Sequence, residues 1–156
     1  MQNPRNEKVE RMVVLEANDA ANVVPVLPNG DILFVKQFRF GTKQVTIELP
    51  GGIVDPGEQH ETAVKRELLE ETGYKADRWA HLGTLPSNPV FMDNYIHHWV
   101  AEGVEWVQDL KLDDGELVEP LVFSEAEVLE QLKTGGFQHT HTVSALVLYF
   151  ARKKLF

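Results

Sequence analysis

The sequence predicts an α+β fold in which helices pack on a mixed β-sheet. Short stretches rich in β-branched residues recur along most of the chain, one helical stretch interrupts them, and two helical stretches follow the last strand. This order of elements is typical of a sheet with helices packed against it. The 156 residues match the length of one domain. We therefore expect a single domain over 1–156, with 1–10 flexible or in contact with a dimer partner.

The first half of the chain is expected to supply strands. A tight turn at Asn29-Gly30 joins two of them, because both residue types accept the positive φ angles of a two-residue hairpin. Pro25 cannot donate a backbone hydrogen bond, which favours an edge position or a bulge for its strand. The predicted strands are 11–16, 22–27, 31–38 and 45–49.

The second half is expected to contain further strands and then two helices. Ser124, with Glu127 three residues later, predicts a capping box at the start of the first helix. An apolar stretch over 142–154 predicts the final helix, whose basic last turn suits the helix dipole. The remaining predicted elements are strands 78–85, 95–102 and 120–123, loops 86–94 and 109–119, and helix 124–133.

Composition excludes several classes of function. The chain has no cysteine, so disulfides and thiolate metal sites are excluded, and no apolar run approaches the roughly 20 residues of a membrane span. The formal net charge of -9 repels long polyphosphate chains, so we expect no nucleic-acid partner. A small anionic substrate remains possible, because an acidic site that binds a divalent metal becomes locally positive. We expect a cytoplasmic protein with no membrane contact.

An acidic helix carries the strongest indication of chemistry. The stretch GGIVDPGEQHETAVKRELLEETGY (51–74) predicts a loop and a helix that ends at Gly73. At about 100° per residue, Glu67, Glu70 and Glu71 share roughly 100° of one helix face, where like charges repel. A solvated acidic face is one interpretation. A divalent cation among the carboxylates is the other, since Mg²⁺ and Mn²⁺ prefer oxygen ligands.

The glycine-rich loop ahead of this helix favours a nearby ligand. Gly51 and Gly52 let a backbone carbonyl approach a ligand closely, because glycine has no side chain in the way. No Gly-Lys-Ser/Thr follows, so the loop is not a Walker phosphate loop. The alternative is a plain connection between a strand and a helix.

The same stretch resembles the Nudix box, G-x5-E-x7-R-E-U-x-E-E-x-G-U, in which U is a bulky apolar residue. Every fixed letter occurs at the required spacing, and the matching residues are Gly52, Glu58, Arg66, Glu67, Leu68, Glu70, Glu71, Gly73 and Tyr74. The resemblance implies a Nudix fold, in which a mixed β-sheet is sandwiched between helices (α/β/α). Gln59 departs from the Ser or Thr common in relatives, which are better N-caps. We therefore expect a slightly weaker helix start.

Nudix enzymes hydrolyse nucleoside diphosphates linked to another moiety, so the resemblance implies a metal-dependent pyrophosphatase. It makes Glu67 and Glu71 the principal ligands of Mg²⁺ or Mn²⁺, with Glu70 as a third ligand or a group behind them. The carbonyl of Gly51 is implied to reach the metal. Arg66 is implied to hold the glutamates in place by hydrogen bonds.

Further segments resemble one branch of the family. QFRF (37–40), IELPGG (47–52) and VDPGE (54–58) are similar to the ADP-ribose and nucleoside-diphosphate-sugar pyrophosphatases. This resemblance implies that Arg39 pairs with a substrate phosphate, because its planar fork suits that geometry. It also implies that Glu48 binds a ribose hydroxyl or a metal-bound water.

Simpler roles for these residues stay open. Arg39 and Glu48 also suit ion pairs between strands. Phe91, in the predicted loop 86–94, either stacks on the base of the substrate or packs within its loop.

In this branch a glutamate from a loop beyond the box often serves as the general base. Here that loop is LDDGELVE (112–119), in which the resemblance favours Glu116, with Asp113, Asp114 and Glu119 as competitors. The implied catalytic set is Glu71, Glu67, Arg66 and Glu116.

The resemblance also implies a nucleotide-sugar substrate and a homodimer to which the N-terminal strands contribute. Two other functions remain open. One is a pyrophosphohydrolase of nucleoside triphosphates, dinucleoside polyphosphates or capped RNA, against which QFRF and ELPGG argue. The other is a Nudix-fold module that senses a nucleotide without cleaving it, against which the intact glutamates of the box argue.

Overall fold

Most strands and all three helices lie near their predicted positions. The computed structural model describes residues 2–111 and 118–154. Its strands are β1 (Ala20–Val26), β2 (Ile32–Arg39), β3 (Gln44–Glu48), β4 (Gly51–Ile53), β5 (Tyr74–Lys75), β6 (Arg78–Pro86), β7 (Tyr95–Glu102), β8 (Glu105–Trp106) and β9 (Val118–Phe123). Its helices are α1 (His60–Thr72), α2 (Glu125–Thr134) and α3 (Thr140–Arg152).

A mixed sheet forms the middle layer of the fold. β1 and β7 run parallel, and β6 extends the sheet antiparallel to β7. Two strands share the other side of β1, because β4 pairs with its first residues and β2 with its last. β2 then continues antiparallel between β3 and β9, which pair with Val35 from opposite sides.

Helices cover both faces of this sheet. Successive strand residues point to opposite faces, so Val23, Leu33 and Trp99 pack against Val64 and Leu68 of α1. The opposite face packs against α2 and α3 in a second core, which includes Val24, Phe34, Val128, Leu146 and Phe150. Each of these buried apolar side chains contributes roughly 1.5–3 kcal/mol to the burial free energy. The arrangement confirms the predicted α+β fold with α/β/α layers.

A gap opens in the sheet where β1 leaves β4 and approaches β2. The first turn of α3 contacts both sides of this gap. Asn22 donates from Nδ2 to the carbonyl of His141 at 3.2 Å, and Thr142 Oγ1 accepts the N–H of Leu49 at 3.0 Å. We call this region the sheet fork. Asn22 on β1 lies on one side of it, and Glu48 and Leu49, at the end of β3, lie on the other.

A buried histidine extends the contacts of Asn22 in the sheet fork. His98 is fully buried, and its Nδ1 lies 2.7 Å from Oδ1 of Asn22. Since that amide oxygen accepts, Nδ1 carries the proton of the ring. Burial lowers the pKa of His98 to about 4, so its imidazole is neutral at pH 7.

Helices α1 and α2 differ in how they begin. Gln59 precedes α1 and makes no side-chain capping hydrogen bond, as its poor capping propensity predicts. Ser124 and Glu127 form the predicted capping box of α2. At its other end α1 stops at Gly73, whose φ of 74° is left-handed. In the described parts of the chain, no helix is long and apolar enough to cross a membrane.

Three predictions about elements are wrong. Residues 11–16 form no strand, because only Leu15 bridges to another segment, at Met92, and the run finds no sheet edge along its length. The strand with Pro25 is central, and the proline fits because its nitrogen points to the side of β1 that lies between the β4 and β2 pairings. α3 begins at Thr140, ahead of the predicted start.

Candidate active site

Arg66 draws the acidic residues of α1 together. Its Nη1 donates to Glu67 Oε1 at 2.7 Å and to Glu70 Oε2 at 3.2 Å. Its Nη2 donates to Glu58 Oε2 at 3.1 Å and to the carbonyl of Ile53 at 3.2 Å. The hydrogen bond to Glu58, followed by those to the other glutamates, raises the pKa of Arg66 above its ordinary value. The guanidinium therefore keeps its charge and links α1 to the preceding loop.

Glu71 is the buried member of the acidic group, with 3% of its surface exposed. Its Oε1 accepts a hydrogen bond from Nε2 of Gln37, and its Oε2 accepts the N–H of Gly51 at 2.9 Å. Sequence reasoning assigned no role to Gln37. The signal was present in QFRF, because the two-residue spacing of Gln37 and Arg39 places both on the sheet face that α1 covers.

Gly51 and Gly52 lie where the loop backbone meets its closest neighbours. A Cβ at Gly52 would lie 2.5 Å from the carboxyl carbon of Glu67. A Cβ at Gly51 would lie 2.2 Å from the carbonyl oxygen of Ala21. A larger residue at position 51 would push the loop away from the backbone of β1, and one at position 52 would displace the carboxylate of Glu67. The glycine pair is thus explained by contact with the acidic helix and the sheet.

Arg39 and Glu48 form an ion pair on the same sheet face. Arg39 donates from Nε to Oε1 at 2.7 Å and from Nη2 to Oε2 at 2.6 Å, the paired geometry that suits a carboxylate. Glu48 is only 1% exposed. Burial alone raises the pKa of Glu48, but the hydrogen bonds from Arg39 and Thr46 outweigh it and lower that pKa below its ordinary value. Glu48 is therefore ionised, and Arg39 stays about half exposed beside it.

The α1 carboxylates offer donors that suit a hard divalent cation. Within residues 2–111 and 118–154, no three His, Asp or Glu side chains converge closely enough to enclose an ion. The reason is visible in the contacts, since Arg66 holds Glu67 and Glu70 while Gln37 and Gly51 hold Glu71. The donors are all oxygens, which is the set that Mg²⁺ and Mn²⁺ prefer. Glutamate side chains reorient easily at their terminal torsion, so the residues fit such an ion.

The remaining predicted residues lie elsewhere or outside the described chain. Phe91 lies on the loop between β6 and β7. Its carbonyl accepts the N–H of Leu15, and its own N–H donates to the carbonyl of Asn88. Glu116 falls outside the described residues, as do its competitors Asp113 and Asp114.

Glu119, the fourth candidate base, points away from α1. Its carboxylate pairs with Lys36 Nζ at 2.9 Å. Lys36 and Gln37 alternate along β2, so Lys36 and its partner lie on the face opposite the acidic helix. This position argues against Glu119 as the base.

Known proteins resemble this chain over most of its length. The ADP-ribose pyrophosphatase of Bacillus subtilis is 29% identical over 142 residues, which cover 90% of this chain and 77% of that protein. The methanol dehydrogenase activator of Bacillus methanolicus is 28% identical over 142 residues, with the same coverage of 90% and 77%. A crystal structure of an ADP compounds hydrolase matches with a TM-score of 0.78 at 26% identity, covering 87% of this chain and 72% of that one. The family model of the NUDIX domain matches residues 17–146, and this chain therefore belongs to the Nudix family.

Proposed function

We propose that this protein hydrolyses the pyrophosphate bond of a nucleoside diphosphate sugar of the ADP-ribose type. The products are a nucleoside monophosphate and a sugar phosphate. One observation carries the proposal: Gln37 and Arg39 project from β2 on the same face, one against Glu71 and the other fixed by Glu48. A cation-binding carboxylate and a phosphate-binding guanidinium thus stand side by side, as a diphosphate substrate with a bound metal requires.

Mg²⁺ or Mn²⁺ is the proposed cofactor, and Glu67, Glu70, Glu71 and the carbonyl of Gly51 would hold it. When bound, such an ion neutralises charge on phosphate oxygens and lowers the pKa of a water ligand. Arg66 orients Glu67 and Glu70 by the hydrogen bonds described above.

Arg39 binds the substrate through a phosphate, and Glu48 fixes its orientation. The edge of a guanidinium matches two phosphate oxygens at once. Phe91 stays a proposed contact to the base of the nucleotide.

Glu116 is the proposed general base. The residues that flank 112–117 support a base from this loop. Lys111 donates its N–H to the carbonyl of Glu70 at 3.0 Å, and Val118 pairs with Gln37, whose side chain contacts Glu71. Both flanks therefore lie against the acidic helix or its direct partner.

A homodimer is proposed as the assembly. Met12, Val13 and Leu15 are at least half exposed in the segment ahead of β1. Exposed apolar groups of this kind mark interaction surfaces when they are contiguous.

The cytoplasm is the proposed location, because a chain without cysteine suits a reducing compartment.

Two other functions remain to be separated by experiment. Hydrolysis of nucleoside triphosphates would use the same glutamates on another substrate. A regulatory module that binds a nucleotide without cleaving it is a second alternative, and the relative named as an activator of another enzyme keeps it relevant.

The deciding experiment is product analysis of the full chain with ADP-ribose, GDP-mannose, UDP-glucose and ATP, each with Mg²⁺ or Mn²⁺. We expect a nucleoside monophosphate from at least one nucleotide sugar and none after chelation of the metal. Pyrophosphate from ATP, with every nucleotide sugar intact, would contradict the proposal. Tight calorimetric binding of a nucleotide sugar without turnover would instead favour the regulatory module.

Metal binding can be measured separately from activity. Mg²⁺ should raise the melting temperature of the wild type, because an ion that binds only the native state stabilises it. The Glu67→Gln/Glu71→Gln double variant should lose this shift. Glu61→Gln is the matched control, since Glu61 lies on α1 but pairs with Lys65.

A further inference from the structure

We propose that His139, at the start of α3, is a positioning residue that fixes the substrate-binding Arg39 through the buried carboxylate of Glu48. The inference rests on the proposed function, in which Arg39 contacts a phosphate of the substrate. It adds a residue that lies outside the Nudix box and far from it along the chain.

The close polar contacts of Glu48 define the role of His139. Oε1 accepts from Arg39 Nε and from the hydroxyl of Thr46. Oε2 accepts from Arg39 Nη2, and Nδ1 of His139 lies 3.1 Å from the same oxygen. A carboxylate has about four lone-pair sites; three accept these hydrogen bonds, and His139 lies within ion-pair distance of Oε2. Because Glu48 is 1% exposed, water has little access to replace a donor that is removed.

The proton of the His139 ring is on Nδ1. An ionised carboxylate can only accept, so a bare Nδ1 would face Oε2 lone pair to lone pair. Burial lowers the pKa of His139 to about 4, even with Glu48 nearby. The ring is thus a neutral donor at pH 7 and adds no second positive charge beside Arg39.

His139 occupies a capping position but does not cap its helix. It is the N-cap residue of α3, yet its side chain makes no capping hydrogen bond to the backbone N–H groups of the first turn. Its Nδ1 lies 3.1 Å from Thr142 Oγ1, and Thr142 is itself anchored by the N–H of Leu49. The sheet fork therefore holds the ring against Glu48 from the α3 side.

This contact matters because the Arg39–Glu48 pair cannot orient itself. The terminal torsion of a glutamate is broad, so a carboxylate bound only to Arg39 could rotate together with the guanidinium. Thr46 and His139 contact the carboxylate on different oxygens and fix its plane. Arg39, which is about half exposed, then presents one orientation to the substrate.

The test measures ADP-ribose hydrolysis by the full chain with His139→Ala, His139→Asn and, as a matched control, Gln138→Ala. His139→Ala should lower kcat/KM roughly tenfold, the effect of losing one close polar contact to a charged group. Most of the change should be in KM, because a phosphate contact exists in both the ground state and the transition state. His139→Asn should restore most of kcat/KM, since its amide N–H replaces Nδ1–H and asparagine is a good N-cap. The control residue is exposed and should behave as wild type.

A double-mutant cycle with Arg39→Gln decides whether His139 acts through Arg39. In that background His139→Ala should add little, because the guanidinium that it positions is absent. Equal effects in both backgrounds, or Ala and Asn variants that are equally impaired, would overturn the inference.

Two further comparisons keep the outcomes distinct. If His139→Ala melts below the assay temperature, His139→Ser replaces it, because serine caps the helix but is too short to reach Glu48. An active wild type with an unaffected His139→Ala refutes this inference alone. A wild type that cleaves no nucleotide sugar refutes the proposed function itself.

Discussion

The carboxylates on the α1 face of the sheet stand in two contrasting environments. Glu48 lies apart from the other carboxylates, is buried, and is paired with Arg39 on both of its oxygens. Glu67 and Glu70 share the single guanidinium of Arg66 with Glu58 and are partly open to solvent. The first group is electrically balanced, whereas the second keeps an excess of negative charge.

This difference separates a carboxylate whose charge is balanced from a group of carboxylates whose charge is not. A buried carboxylate with one well-placed cation is stable as it stands. Several carboxylates around one cation repel each other and gain from a second, more highly charged ion. The contrast matches the proposed roles, in which Glu48 would fix Arg39 for an anion and the α1 glutamates would bind a metal.

The largest expected effect is on the crowded group. Glu71→Gln should lower kcat at least about 10³-fold, because it removes charge that stabilises the transition state. The far-UV spectrum should be unchanged, since the amide still accepts from Gly51. Glu61→Gln, on the same helix, should keep its kcat. A near-normal kcat for Glu71→Gln would remove Glu71 from the catalytic role.

Glu48→Gln tests the balanced pair. It should lower the free energy of unfolding by about 2 kcal/mol, less than for a fully buried ion pair because Arg39 is half exposed. Urea denaturation at pH 7 measures this change. kcat/KM should also fall roughly tenfold as Arg39 loses its fixed orientation. Unchanged stability would show that the pair contributes nothing to the fold.

The pH dependence of stability tests His98, the neutral and buried histidine that contacts Asn22. The folded-state pKa of His98 is lowered from 6.5 to about 4. At a pH between these two values, only the unfolded chain binds this proton. The contribution of His98 to stability should therefore be lost as the pH falls from about 6.5 towards 4, at up to about 1.4 kcal/mol per pH unit. Between pH 6.5 and 5 the loss from His98 should reach about 1.6 kcal/mol.

The His98→Gln variant isolates this contribution. It keeps an amide N–H for Asn22 but does not titrate, so its stability should fall by less than that of the wild type over the same pH range. Glu48 does not interfere, because its lowered pKa makes its contribution vary only below the ordinary glutamate range. Identical pH profiles in urea denaturation would exclude His98 as a source of acid sensitivity.

The smallest expected effect is at the start of the acidic helix. Gln59→Ser should raise the free energy of unfolding by about 0.5–1 kcal/mol, because serine supplies the cap that α1 lacks. Ser124→Ala should lower it by about 1 kcal/mol by removing the capping box of α2. Thermal melts of both variants measure the pair of opposite shifts, and a Gln59→Ser melt at or below the wild-type value would contradict the first.

Local patterns were enough to predict the acidic helix and its neighbours. The spacing of Glu67, Glu70 and Glu71, the stop at Gly73 and the capping box at Ser124 all depend on residues within a few positions of each other. Such short-range chemistry is readable from a sequence alone. The fold class followed, because the order of strands and helices restricts how they can pack.

Long-range contacts were the part that the sequence did not reveal. Leu49 and Thr142 meet across 93 positions, and no local pattern indicates that His139 contacts Glu48. Pro25 was assigned to an edge or a bulge because proline lacks a donor, yet the sheet provides a central position where that donor is not needed. The apolar run at 11–16 looked like a strand because propensity does not show whether a partner strand is available.

Because α3 contacts the sheet at the sheet fork, it cannot be removed without affecting the sheet. A chain cut ahead of position 139 would keep every strand and the whole Nudix box, yet the carboxylate behind Arg39 would lose one of its supports. Rigid fusions that pull on α3 would strain the same point. Efforts to shorten, tag or recombine this enzyme should therefore keep α3 with the sheet as one piece.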